Sequence, residues 1–195
     1  KNAHSSASAK AEKIRSILVI HQGALGDFIL ALPTLETLRD AFPRARLVIM
    51  GFPRILELIN QRFYADEILS IDQRGMASFF VRGSTLDGPL SQFFSRFNLL
   101  VVFGKDGEGT LIGNLKQVCQ GLIYHINPFP QWTERIHLTD HLLRELTQYG
   151  FSPSEKIPRL FLSEKDKDWR KSFCWVKGLT EHERSKAIVI HPGSR

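Results

Sequence analysis

The chain holds only two cysteines in 195 residues, Cys119 and Cys174, far apart and outside any C-x-x-C pair. That excludes a disulfide framework and a cysteine zinc site, and it suits a reducing cytosol. Long apolar runs are missing too. "LLVVF", Leu99–Phe103, is strand-sized, and nothing approaches the roughly 18 apolar residues that span a bilayer. The opening "KNAHSSASAKAEK" has no apolar h-region, which excludes a secretory signal. Its Ala/Ser/Lys composition reads as a disordered tail over residues 1–13. No G-x-x-x-x-G-K-[ST] is present, which excludes a P-loop NTPase. The dinucleotide pattern G-x-G-x-x-G fails, because Leu25 and Phe28 stand where glycine is needed. The second predicted strand ends "MGFPR" with no acid to hold a ribose, and Arg54 is its only answer to a 2′-phosphate. There is no internal repeat and no RNA-binding motif, so nucleic acid is not an expected partner.

What the chain does contain is an ordinary globular composition: 43% hydrophobic and 24% charged, enough to bury a sizeable core. Lys and Arg outnumber Asp and Glu by 26 to 20, a formal net charge of +6. Two readings of that excess stand side by side. One is an anionic partner, with Arg74, Arg82 and Arg96 on a basic face toward a phosphorylated glycolipid or an anionic membrane. The other is scattered, solvated charge.

Strand-like and helical segments alternate. "RSILVIHQ" is an Ile/Leu/Val run suited to a strand buried on both faces. "DFILALPTLETLRDAF" puts Phe28, Leu32, Leu35 and Leu38 at helical spacing, and Pro33 predicts a kink or a restart inside it. "ARLVIMG", "DEILSID", "FNLLVVFG" and "GLIYHI" are further strands. "RILELIN", "GTLIGNLKQVCQ" and "HLTDHLLRELTQYG" are helices, the last stopped by Gly150. Met76–Gln92 reads as a helix followed by a mobile loop. The order predicts an α/β fold, a Rossmann-like parallel sheet with flanking helices.

After Gly150 the pattern changes. "FSPSEKIPRLFLSEKDKDW" is extended and carries two prolines; a helix then begins with Ser163 as its N-cap and Glu164 and Asp166 in the first turn. "KAIVIHPGSR" is a last buried strand running into a Pro-Gly turn. The expected organisation is a tail (1–13), a first domain (14–155), and a linker with the start of a second domain (156–195), cut short.

The stretch of most chemical interest is "HQGALGDFIL". A turn from a parallel strand into its helix lies at the carboxyl edge of the sheet, where open α/β folds bind ligands. Gly23 and Gly26 permit a tight turn and close approach of a ligand. Asp27 at the helix start is either an N-cap satisfying orphan N–H groups or a carboxylate on the cleft floor, positioned to take a proton.

"ILVIHQGALGDFILALPTLETLRDAFPRARLVIMG" resembles the amino-terminal signature of glycosyltransferase family 9, the ADP-heptose:lipopolysaccharide heptosyltransferases and their relatives. "HLTDHLLRELTQYGF", "IPRLFLSEKD" and "IVIHPGSR" resemble later segments of that family in matching order. The resemblance implies the N-terminal domain of a GT-B fold, with the acceptor bound by the first domain and the nucleotide sugar by the second. It implies an inverting, metal-independent transfer of a heptose-like sugar to a lipopolysaccharide-core or related glycan acceptor. Asp27 falls on the position of the general base. Gly23, Ala24 and Gly26 lie on the acceptor side, and the turn with His191, Gly193 and Ser194 on the donor phosphates. The donor is a nucleotide-diphosphate sugar, ADP-linked by analogy, and no further cofactor is implied. The family's remaining donor contacts would follow Arg195, so the chain alone should not turn over substrate. The expected setting is the bacterial cytoplasm, with an anionic glycolipid or glycan acceptor and peripheral contact with the inner membrane left open. A non-catalytic nucleotide- or NADP-binding module, or a scaffold, is the alternative.

One segment departs from the family. Where members read "D-L-Q-G-N" or similar, this chain has "FGKDGEGT". Lys105 there is a candidate for an anionic acceptor, with Gly104, Gly107 and Gly109 making the loop supple; a solvated surface loop is the other reading. His125 and Asn127 follow the fifth strand and either line the acceptor site or form a polar strand end. His137 is expected near the cleft at a helix start. His137 and His141 have a zinc-compatible i, i+4 spacing but no third ligand, so no metal is expected. Phe129, Trp132 and Tyr149 read as packing residues.

Overall fold

The computed structural model describes residues 14–73, 75–84, 88–153, 155–180, 182, 183, 186 and 188. The strands are β1 (Ser16–His21), β2 (Arg46–Gly51), β3 (Glu67–Ser70), β4 (Leu99–Phe103) and β5 (Leu122–Ile126). All pairings are parallel, and the order is β3-β2-β1-β4-β5. The helices are α1 (Leu25–Ala41), α2 (Pro53–Leu56), α3 (Gly88–Phe94), α4 (Thr110–Val118), α5 (Leu138–Thr147) and α6 (Glu164–Val176). A 3₁₀ turn spans Met76–Phe80. The chain divides into two compact units, Lys1–Leu160 and Phe161–Arg195. The expected α/β, Rossmann-like sheet is the fold observed.

β1 is central because it is apolar on both faces. Ile17 lies opposite Leu47 on β2 and Leu99 on β4, and residues 17–20 are buried throughout. Side chains alternate between faces along each strand. Leu18, Ile20, Val48, Met50, Leu100 and Val102 share one core with Met76 and Phe79 of the 3₁₀ turn, Leu90 and Phe94 of α3, and Leu111 and Leu115 of α4. Ile17, Val19, Leu47, Ile49, Leu99 and Val101 form the other buried set; α1 and α5 pack on each other, and their Leu32, Leu35, Leu142 and Leu146 are buried as well. The Thr139 hydroxyl on α5 donates to the Leu30 carbonyl on α1 at 3.1 Å, which ties the two helices together.

Three local features differ from the sequence reading. α1 continues through Pro33, so no restart occurs there. Every residue from Ala31 to Leu38 is buried, and surrounding packing holds the helix through a residue that lacks an N–H. The Thr37 hydroxyl donates to the Pro33 carbonyl at 2.9 Å. The helix expected in Met76–Gln92 is a 3₁₀ turn followed by α3, which starts at Gly88. Asn114 on α4 donates to the carbonyls of Phe79 (2.9 Å) and Val81 (3.1 Å), satisfying the end of that turn. "RILELIN" is helical only through Leu56.

In the second unit, Ser163 caps α6 as anticipated. Its hydroxyl accepts from the Asp166 N–H at 3.2 Å, while the Asp166 carboxylate accepts from the Ser163 N–H at 2.7 Å, a full capping box. The tail 1–13, the final strand and turn of 189–195, and Arg74 lie outside the described residues.

Candidate functional site

β1 leads to β2 and β3 on one side of the sheet, and β4 and β5 lie on the other. The strand order therefore reverses between β1 and β4. Open α/β sheets leave a crevice beyond the carboxyl ends of the strands at such a point. A cleft of about 520 Å³ occupies it. His21 at the end of β1 and Phe103 at the end of β4 form its base, with Gln22, Gly23 and Asp27 on one rim and Gly104 and Lys105 on the next.

Asp27 sits in the first turn of α1, and the N-cap position belongs to Ala24. No side chain caps that helix, so the N-cap role considered for Asp27 is not the one it plays. Its side chain is exposed on the cleft wall. It has no hydrogen-bond or ion-pair partner among the described residues.

Gly23 makes this arrangement possible. A Cβ there would lie 2.6 Å from His21 Cε1 and 2.9 Å from Asp27 Cβ. Any other residue would push the two apart. Gly26, by contrast, faces open space, and nothing in the fold requires it to be glycine. Ala24 and Gly26 are exposed at the start of α1 and do not line the cleft.

His21 is the residue the sequence reading missed. It is 6% exposed and packs edge-on against Phe28, with ring centroids 5.1 Å apart, and against Phe103 at 5.2 Å. Burial pushes its pKa down from 6.5 to about 4, against an opposing pull from the Asp27 charge. The imidazole is therefore neutral at pH 7. Its Nδ1 accepts the Gly23 N–H at 3.2 Å, which leaves the ring proton on Nε2. A neutral ring beside Asp27 holds the turn without drawing the carboxylate into an ion pair. The sequence signal was a histidine closing an otherwise apolar strand at the sheet's carboxyl edge.

The "FGKDGEGT" loop is anchored rather than simply supple. The Asp106 carboxylate accepts from the Leu111 N–H (3.1 Å) and the Ile112 N–H (2.9 Å), capping α4 through its side chain. This leaves Lys105 exposed at the cleft with no ion-pair partner among the described residues.

His125 and His137 do not reach the cleft. His125 Nε2 donates to the Gly104 carbonyl at 2.7 Å, and the Tyr149 hydroxyl both accepts its N–H and donates to its carbonyl, each at 2.9 Å. His125 thus braces the loop that carries Lys105. His137 is the N-cap of α5, its Nδ1 accepting the Thr139 N–H at 3.3 Å. His141 is buried, donating through Nε2 to the Asn127 carbonyl (2.8 Å) and accepting from Arg144 at Nδ1 (3.1 Å). Both of its ring nitrogens are occupied, so the i, i+4 pair is structural. Among the described residues no cluster of three metal-ligating side chains occurs.

Of the aromatic residues expected to pack, only Tyr149 does so, stacked on Tyr124 at 4.1 Å. Phe129 is 61% exposed on the cleft wall, and Trp132 is 98% exposed. The supposed basic face is split. Arg82 lies beside the N-terminus of α4 at the carboxyl edge of the sheet, while the Arg96 carbonyl accepts from Ser16 at the amino edge. The donor-side residues His191, Gly193 and Ser194 lie outside the described residues. No described helix is long and apolar enough to cross a membrane.

No protein-family model and no curated protein sequence matches the chain. Solved structures do. A family 9 glycosyltransferase from Veillonella parvula superposes with a TM-score of 0.60 at 16% identity, over 86% of this chain and 50% of that one. The ADP-heptose lps heptosyltransferase II of E. coli gives 0.53 at 14% identity, over 85% of this chain and 51% of that one. The chain spans about half the length of these structures. At such identities the likeness establishes architecture, and the fold described above is that of family 9 glycosyltransferase structures.

Proposed function

We propose that the chain forms the acceptor-binding half of an inverting, GT-B glycosyltransferase and that Asp27 is its general base. One observation carries the reading: an exposed carboxylate, without a hydrogen-bond or ion-pair partner among the described residues, at the mouth of a cleft at the sheet's switch point. The shared fold with family 9 structures supports the reaction class.

The acceptor hydroxyl gives its proton to the Asp27 carboxylate as its oxygen attacks the anomeric carbon of the donor. That oxygen–carbon bond forms while the bond to the diphosphate breaks on the opposite face. The nucleoside diphosphate leaves with the electron pair. A single carboxylate suffices, because the activated donor supplies its own leaving group. Backbone N–H groups and basic side chains stabilise the departing charge, with the turn of His191, Gly193 and Ser194 as the start of that cradle. The donor is an ADP-linked, heptose-like sugar, in keeping with the name of the E. coli neighbour. The acceptor is a glycan or glycolipid of the lipopolysaccharide-core kind, and Lys105 meets an anionic group on it. The reaction needs no metal and takes place at the cytoplasmic face of the inner membrane, with the donor half supplied by the remainder of the protein.

The test is a screen of ADP-, GDP- and UDP-sugars with the full-length protein in the presence of EDTA, followed by NMR assignment of the product anomer. Transfer with inverted configuration that survives chelation supports the proposal. Retained configuration, or transfer abolished by EDTA and restored by a divalent cation, overturns it.

A further inference from the structure

The walls above Asp27 do not look like a site for a highly charged sugar. Among the described residues, Asp27 is the one acid lining the cleft and Lys105 the one lysine or arginine, and His21 at its base is neutral. Apart from Gln22 and the glycines Gly23 and Gly104 on the rims, the rest of its described lining is apolar, and that apolar lining comes from both layers of the fold. Phe80 and Leu111 rise from the 3₁₀ turn and α4 on one face. Ile136, in the segment leading into α5, and Leu138, its first residue, line the other. Pro128, Phe129 and Pro130, from the loop after β5, close the far end.

Two of these residues are held open at a cost. Phe129 is 61% exposed and Phe80 is 46% exposed. Apolar surface left wet inside a concavity is the usual sign of a ligand that will cover it. Flanking prolines restrict the backbone around Phe129, so the ring is presented with little entropy to lose on binding. A cavity of about 520 Å³ has room for a sugar ring and an attached group of similar size.

We propose that the acceptor carries an apolar group beside its reacting hydroxyl, and that this group lies against Phe80, Phe129 and Ile136 while the hydroxyl faces Asp27. This deepens the glycosyltransferase reading and rests on it. The acceptor is then a glycoside with an aryl or alkyl aglycone, or the corresponding part of a glycolipid, and Lys105 accommodates at most one acidic substituent. A polyanionic glycan would find too few cations here to offset its desolvation.

The experiment is a calorimetric titration of the chain with methyl, phenyl and n-octyl glycosides of glucose, galactose and mannose, the octyl series kept below its micelle concentration. Burial of the aglycone should tighten binding of the phenyl or octyl compound by about tenfold over its methyl counterpart. The better of the two distinguishes a ring from a chain. Phe129→Ser and Phe80→Ser alter exposed side chains, so they leave the core intact. Each should cut the preference to about threefold or less, with methyl-glycoside affinity unchanged. Equal affinity for all three compounds, undetectable binding by all three, or a preference untouched by both substitutions would each overturn the proposal. Asp27→Asn should keep the preference. Failure of the catalytic reading would therefore leave this result standing, and failure here would leave the base assignment untouched.

Discussion

Acid should destabilise this fold through His21 before most carboxylates titrate. The ring is buried against Phe28 and Phe103, and its pKa falls from 6.5 to about 4. The unfolded chain therefore binds a proton on this residue at a pH where the folded chain does not. Below pH 6.5 the unfolded state gains free energy by protonation, so stability falls with pH and levels off near pH 4. About 2.5 pH units at 1.36 kcal/mol each give roughly 3 kcal/mol in full. At about pH 4.5 the same linkage already gives roughly 2 to 3 kcal/mol. That is a large share of the 5–15 kcal/mol typical of a domain. The assay is urea unfolding of the chain and of His21→Asn at about pH 7 and about pH 4.5. Asparagine keeps an acceptor for the Gly23 N–H and removes the titration. The wild type should lose about 2 to 3 kcal/mol more than the variant between the two conditions. Equal losses would show that His21 titrates normally and is not buried as described.

Further perturbations separate the parts of the fold. Gly23→Ala should destabilise by about 1 to 3 kcal/mol in denaturant unfolding, because the new methyl meets His21 and Asp27. Gly26→Ala should be neutral or stabilise by up to about 1 kcal/mol, since its Cβ enters open space on a helix. Asp106→Ala should cost about 1 kcal/mol and speed amide exchange at Leu111 and Ile112. Ser163→Ala should remove the α6 capping box at about 1 kcal/mol, seen as faster exchange at the Asp166 amide.

The sheet was legible because its strands are rich in Ile, Leu and Val, and such short runs bounded by turns suit strands buried on both faces. The position of Asp27, at the carboxyl edge of the sheet, was legible because a strand, a glycine turn and an acid in that order constrain one another. Ser163 was read correctly because its capping box lies within four residues. What escaped depends on contacts distant in sequence. Pro33 continues a helix only because the segment around it is buried on all sides. His21 gains its role from the aromatic rings of Phe28 and Phe103. His125 and His137 look like site residues locally, but their rings are taken by Gly104 and Thr139. Phe129 and Trp132 have core-like side chains, yet the loop after β5 leaves them exposed.

In the proposed reaction Asp27 takes the proton from the acceptor hydroxyl. The most direct measurement is steady-state transfer by the full-length protein against Asp27→Asn, with the best donor and acceptor from the screens above and thermal unfolding as a control. Loss of the base should lower kcat by about 10² to 10⁴, with the melting temperature unchanged because the carboxylate makes no hydrogen bond or ion pair among the described residues. A variant that turns over within about twofold of the wild type would contradict the assignment.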